Sequence, residues 1–324
     1  MGGKPLVVDI REGDRQIALL QLLERLPRDR PFTTAEARDC GVSARCLREA
    51  ATAGLMRHPM RGVYYAAHLS EALSLRIECL KLVVPSECVV TDRTAAWLWG
   101  ANMVLNPGAH LEVPPINVFS PPGHRLRNGL VDSGERTFSV GDVAELEGLR
   151  VTTPLRTACD LGRLLHRDQA FAAMDSLAGL RAFSVEELVA ATGRFAGYRG
   201  VIQLRALAPL VDPDSQSPGE SILRLRWLDV GLPRPRCQVE VPAPGGGSYW
   251  VDIGLEEQRF GTEYDGEDFH TEDDEEHDEE RREWMRRTEG WTIVVARKAN
   301  IHGPHQDINH MLRTAARESG LRKR

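Results

Sequence analysis

The sequence predicts a multidomain α+β protein in three parts, over residues 10–70, 71–208 and 217–318. Three observations carry that reading. At 324 residues the chain exceeds one average domain and has room for two or three cores. Capped, amphipathic helical stretches alternate with strand-like runs more than once along it. The stretch "PLVDPDSQSPG" (209–219), rich in Pro, Asp and Ser, reads as a linker and sets a boundary.

The first part begins with "DRQIALLQLLERL" (14–26), where Ile17, Leu20 and Leu23 form a stripe that Leu19, Leu22 and Leu26 widen. "TTAEARDCG" offers a Thr cap at 33 or 34 and stops at Gly41, so it reads as a short second helix. "SARCLREAATAG" opens with a capping Ser43 and closes at Gly54. "LMRHPMRGVYYAA" then alternates through a basic turn, as a two-stranded wing does. Helix, four-residue turn, helix and wing form a winged helix-turn-helix, whose partner is DNA. In that layout the helix from Ser43 enters the major groove. It shows Ser43, Ala44, Arg45 and Arg48 outward and turns Cys46 and Leu47 inward. Arg57, His58 and Arg61 sit where a wing meets phosphate. The competing reading is a small helical domain whose surface arginines serve protein contacts.

The middle part is a mixed α/β domain whose function the pattern does not reveal. "RIECLKLVVPSECVVTDRTAAWLWGAN" reads as two helices broken at Pro85, the second ending at Gly100. "HLEVPPINVFSPP" and "GLRVTTP" read as strands, and 154–192 as two or three helices. The loop carrying His124, Arg125 and Arg127 is basic, which more often marks a solvated turn than a phosphate contact.

After the linker the predicted order is α-β-β-β-α-β-α. "ESILRLRWLDVG" is the first helix; "RCQVEVPA", "SYWVDIGL" and "QRFGTEY" are three strands joined by tight turns. "DEEHDEERREWMRRTEG" is a helix, "WTIVVARK" a strand and "HQDINHMLRTAARESG" the last helix. The net charge of −6 hides an uneven distribution. Between Glu263 and Glu280 there are twelve Asp/Glu and no Lys or Arg; removing those twelve from the 47 acidic residues leaves 35 against 41 basic. An acidic segment therefore sits in a mildly basic chain, a balance compatible with nucleic acid.

Four carboxylates can be placed by this order. Glu220 lies in the first turn of a helix, Asp252 on the second strand between Val251 and Ile253, and Glu263 and Asp265 at the end of the third. If strands two and three form a hairpin, Asp252 and Glu263 lie side by side. A carboxylate in such an apolar alternation is costly unless paired or bound to a metal. A group of oxygens with no lysine among them suits a hard cation such as Mg²⁺. Asp265-Gly266 is also a turn signal, and Glu272–Glu280 more often marks a solvated helix N-terminus. Trp284 and Trp291 read as core.

The C-terminal order, with "EYDGEDFH" followed by "HDEERREWMRRTEGWTIVV", resembles the PD-(D/E)XK nuclease superfamily and its very-short-patch-repair endonuclease-like branch. Asp278, Arg281, Met285, Gly290 and Trp291 fall on that branch's pattern, and the likeness covers roughly 217–310. The resemblance implies a restriction-endonuclease-like domain that cleaves DNA. Asp252 and Glu263 would ligate Mg²⁺ (or Mn²⁺), and Glu220 or Asp265 would complete the shell. His270 would serve as general base, and Arg281 or Lys298 would stabilise phosphate charge. One departure is plain: Asp265 stands where the superfamily has lysine. Over about 10–200 the chain resembles the AbiEi-type antitoxin and regulator family, through "TDRTAAWLWG" and "VTTPLRTACDLGR". That resemblance implies a DNA-binding repressor or type IV antitoxin, with a cognate toxin as possible partner and the nuclease fold catalytically inactive.

Composition narrows the setting. Apolar residues make up 42% and charged ones 27%, ordinary for a soluble globular protein. No run approaches the roughly 18 apolar residues of a membrane span, and "MGGKPLVVDIREGD" lacks a signal peptide's apolar core. Cys40, Cys46, Cys79, Cys88, Cys159 and Cys237 are scattered without a C-x-x-C pair. They read as reduced thiols of a cytoplasmic protein.

Overall fold

The computed structural model describes residues 19–70, 72–103, 116–120, 132–266 and 272–321. The described residues form a mixed α+β protein with three sheets, and the chain divides into two compact units. The first comprises residues 1–94 with 112–151, the second 95–111 with 152–324.

In the first unit, helix α1 is seen over 19–23, and strand β1 is Phe32–Thr33. Thr33 caps α2 (Thr34–Asp39), its side chain accepting from the Glu36 amide. Ser43 does the same for α3 (Ala44–Thr52), accepting from the Cys46 amide. Between the helices Gly41 takes φ +80°, a conformation that costs glycine little. Strands β2 (Met56–Met60) and β3 (Val63–Ala66) form a hairpin, and β1 pairs the other side of β3. Phe32, Val42, Leu47, Ala50, Met56 and Tyr64 fill the core beneath them.

Helix α4 (Leu73–Lys81) and strand β4 (Val89–Val90) follow, and then α5 (Asp92–Leu98). Strands β5 (Asn117–Ser120), β6 (Asp132–Glu135), β7 (Val143–Leu146) and β8 (Leu149–Thr152) complete a five-stranded sheet in the order β6-β5-β4-β8-β7. The segment "TDRTAAWLWG" earns its residues structurally. Thr94 Oγ1 accepts from the Asn117 amide at 2.8 Å. The Arg136 guanidinium grips Asp92 at 2.9 and 3.0 Å while lying 3.8 Å from the Phe119 ring centroid.

The second unit contains α6 (Pro154–Leu164), α7 (Arg167–Gly179), α8 (Val185–Ala191) and α9 (Val201–Leu207). Phe171, Met174, Leu177, Leu188, Leu204 and Leu225 are among the residues that close one core there. "VTTPLRTACDLGR" is a helix start followed by a buried charge network. Thr153 caps α6 and Pro154 occupies its first turn. Asp160 is 0% exposed and bonded by Arg156 at 2.8 Å and Arg163 at 2.9 Å. Both guanidinium groups lie over the Phe195 ring.

The remaining elements are α10 (Pro218–Asp229), β9 (Arg236–Pro242), β10 (Ser248–Leu255), β11 (Phe260–Asp265), α11 (Glu272–Thr288), β12 (Thr292–Arg297), α12 (Lys298–Ile301) and α13 (Ile308–Glu318). They follow the predicted order, with the one-turn α12 added. The sheet runs β12-β11-β10-β9, with β11 and β12 parallel and the other neighbours antiparallel. Trp227 of α10 and Leu312 of α13 pack with Ile253, Phe260, Val294 and Ala296. Met285 of α11 packs instead with Val251, Trp291 and Ile293. The sheet is thus covered on both faces, which suits the apolar run of β12. The segment read as a linker is tied down: the Asp212 amide donates to buried Asp175 of α7 at 2.9 Å.

Candidate functional site

Two groups of residues singled out by sequence can be built from the described structure. The first is the exposed end of α3 and the β2–β3 hairpin. Ser43, Arg45 and Arg48 are exposed, Ala44 and Cys46 half-buried, and Leu47 fully buried, so α3 turns one polar side outward. Arg45 Nε bonds Glu49 Oε1 at 3.0 Å, one turn along the helix. Such exposed pairs are weak and release an arginine to a better anion at little cost. Arg57 and His58 on β2 and Arg61 at the hairpin turn are exposed too. The His58 ring stacks on Tyr64, centroids 4.2 Å apart, which fixes its direction.

The second group gathers at the end of the four-stranded sheet. Antiparallel β10 and β11 pair Ile253 with Thr262, so one step further along Asp252 faces Glu263. Asp252 Oδ2 accepts from the Tyr264 amide at 2.8 Å. Burial, then the neighbouring Glu220 and Glu263 carboxylates, pushes Asp252 up to about 7 despite that bond. Glu220, in the first turn of α10, accepts from the Gln216 amide at 3.0 Å and from Gln238 Nε2 at 3.1 Å. Burial still raises it above the ordinary carboxylate range.

Glu263 is 3% exposed and has a different environment. Its Oε2 accepts from Arg282 Nε at 2.9 Å and Arg281 Nη2 at 3.0 Å, both from α11. Its Oε1 is closed off from solvent and, among the described residues, has no hydrogen-bond partner. Arg281 also donates to the Trp250 carbonyl at 3.1 Å and lies 3.6 Å from Asp278. Asp265, in register with Arg297 across the parallel pair, lies 3.4 Å from its guanidinium.

The structure therefore brings together Glu220, Asp252, Glu263 and Arg281. Lys298 opens α12 and interacts with His302, whose imidazole is lowered chiefly by burial. His270, His124, Arg125 and Arg127 lie outside the described residues. Among the described residues no three His, Cys, Asp or Glu side chains converge in a way that could hold a metal ion. Arg282 was missed by sequence reasoning. Its signal was its place beside Arg281, three and four residues after Glu279 and Asp278.

All six cysteines are free thiols. Among the described residues no helix is long and apolar enough to cross a membrane.

Comparison with known proteins bears on the middle of the chain. Residues 88–210 match the family model of the AbiEi antitoxin C-terminal domain. The matched stretch starts just before β4, holds both "TDRTAAWLWG" and "VTTPLRTACDLGR", and stops before α10. Two proteins of Mycobacterium tuberculosis are similar to the chain: Uncharacterized protein MT2308 of strain CDC 1551 / Oshkosh and Uncharacterized protein Rv2248 of strain ATCC 25618 / H37Rv. Each is 28% identical over 231 residues, which span 71% of this chain and 81% of the relative.

Proposed function

We propose that this protein is a cytoplasmic DNA-binding regulator of the antitoxin type. Its N-terminal α1–α3 and β2–β3 act as a winged helix-turn-helix, and its partner beyond DNA is a cognate toxin protein. The observation that carries this reading is the match of residues 88–210 to the AbiEi antitoxin C-terminal domain. That stretch follows a capped helix-turn-helix with exposed arginines. Arg45 and Arg48 read base edges or phosphates from α3, and Arg57 and Arg61 contact the flanking backbone.

The test is binding of the purified protein to the DNA upstream of its own gene, beside a scrambled duplex of equal length. The expected result is preference for the native fragment that is lost in R45A/R48A. Equal affinity for both duplexes, unchanged by the substitutions, contradicts the reading.

A second reading is a Mg²⁺-dependent endonuclease in the C-terminal part. One observation favours it: Asp252 faces Glu263 at the sheet end, with Glu220 close enough to raise Asp252 further. In that reading Asp252 and Glu263 ligate the metal, which supplies a polarised phosphate and an activated water. Plasmid nicking by the wild type in Mg²⁺ or Mn²⁺, absent in D252N/E263Q, would establish it. Equal absence of nicking removes it.

A further inference from the structure

We propose that Arg281 and Arg282 hold the place of a divalent cation at the end of the four-stranded sheet, so that the carboxylate site is neutralised internally and takes up no metal. The inference rests on the geometry of this site alone and is independent of the regulator reading.

One oxygen of Glu263 is already committed to arginine. A carboxylate oxygen has two lone-pair positions. On Oε2 both are met, by Arg282 Nε at 2.9 Å and Arg281 Nη2 at 3.0 Å. A Mg²⁺ ion would need that oxygen at about 2.1 Å, along directions the two N–H groups occupy. The other oxygen, Oε1, is shut off from solvent, whereas Mg²⁺ keeps several of its waters. The two guanidinium groups carry together the charge of one divalent ion, and arginine holds that charge at any physiological pH.

The neighbours agree. Asp252 gives one oxygen to the Tyr264 amide, Glu220 one to Gln216 and Gln238, and Asp265 faces Arg297. Each of these carboxylates thus has one oxygen held by a protein group. Asp278 stands behind both arginines, 3.6 Å from Arg281 and 3.9 Å from Arg282, and steadies them on α11. The lysine missing at position 265 fits the same picture. The positive charge at this sheet end comes from the helix after the strand instead of from the strand itself.

The experiment uses the full chain and Mn²⁺ alone as probe, read by thermal shift and by the free-Mn²⁺ paramagnetic resonance signal. The wild type is expected to show no Mn²⁺-dependent rise in Tm and no loss of free signal. R281Q/R282Q keeps hydrogen-bonding amides but removes both charges. It is expected to melt roughly 5 °C or more below wild type and to gain Mn²⁺ binding that E263Q, added to the same background, abolishes. Should the double variant not fold, R281Q carries the same comparison, because Arg281 is the less buried of the two. Saturable Mn²⁺ binding by the wild type, lost in D252N/E263Q, overturns the proposal. Failure of the folded arginine variant to gain Mn²⁺ binding overturns it as well.

Discussion

Arg224 of α10 reaches both carboxylate oxygens of Asp175 on α7, at 2.8 and 2.6 Å, with the two side chains 1% and 0% exposed. The same guanidinium donates to the Leu210 carbonyl at 2.6 Å and lies 4.6 Å from the Phe171 ring centroid. One cation therefore joins the AbiEi-like stretch to the first helix of the C-terminal elements, across the segment whose composition suggested a linker. Loss of one partner from such a pair leaves an uncompensated buried charge, which costs about 3–5 kcal/mol. R224A is expected to lower Tm by roughly 10 °C and R224K by less. Chemical denaturation of both variants checks it, and a change within experimental scatter for R224A would show that the pair does not join these elements.

Asp252 makes stability depend on pH. Its folded value is pushed up to about 7, first by burial and then by Glu220, whereas in the unfolded chain an aspartate titrates at about 3.9. Between those values the folded state holds a proton that the unfolded state has released. The slope of stability with pH is therefore negative there. The protein is expected to lose stability from about pH 4 to pH 7 through this group and to level off above. D252N keeps an acceptor for the Tyr264 amide and removes the titration. The Tm of D252N minus that of wild type should rise over that window; a difference flat with pH contradicts the assignment.

Gly200 sits against main chain with no room for a side chain. At φ +78° a Cβ there would lie 1.8 Å from the Arg163 carbonyl oxygen. The neighbouring Gln203 amide bonds the Gly162 and Leu165 carbonyls at 2.8 and 3.0 Å, closing the end of α6. G200A combines a left-handed backbone penalty of about 1–2 kcal/mol with a clash against main chain that cannot step aside. A loss of about 3 kcal/mol is expected by urea denaturation. G193A, with no atom near the added carbon, is the control expected to stay near wild type.

Local rules made much of this molecule legible. Thr33 and Ser43 are capping residues whose side chains do what their position in sequence suggested, because a cap depends on three residues and no tertiary partner. The C-terminal order was readable because strands of 6–8 residues alternate with long helices and glycine-rich turns. The short strands β4, β6 and β7 were not, since two to four residues carry too little periodicity. At the sheet end, the facing of Asp252 and Glu263 followed from the hairpin. The Arg281–Arg282 grip on Glu263 did not. Adjacent helical residues ordinarily diverge, and only the approach of α11 to β11 lets both reach one oxygen.

In the proposed regulator reading, the protein acts by binding DNA through α3 and the β2–β3 hairpin, and the C-terminal carboxylates are not needed for that action. It is tested most directly by placing the DNA upstream of its gene before a reporter, in cells supplied with wild type, R45A/R48A or D252N/E263Q at matched protein levels. Repression by wild type and by D252N/E263Q is expected, and its loss in R45A/R48A. Repression that survives R45A/R48A but disappears in D252N/E263Q, with both variants folded, would contradict it.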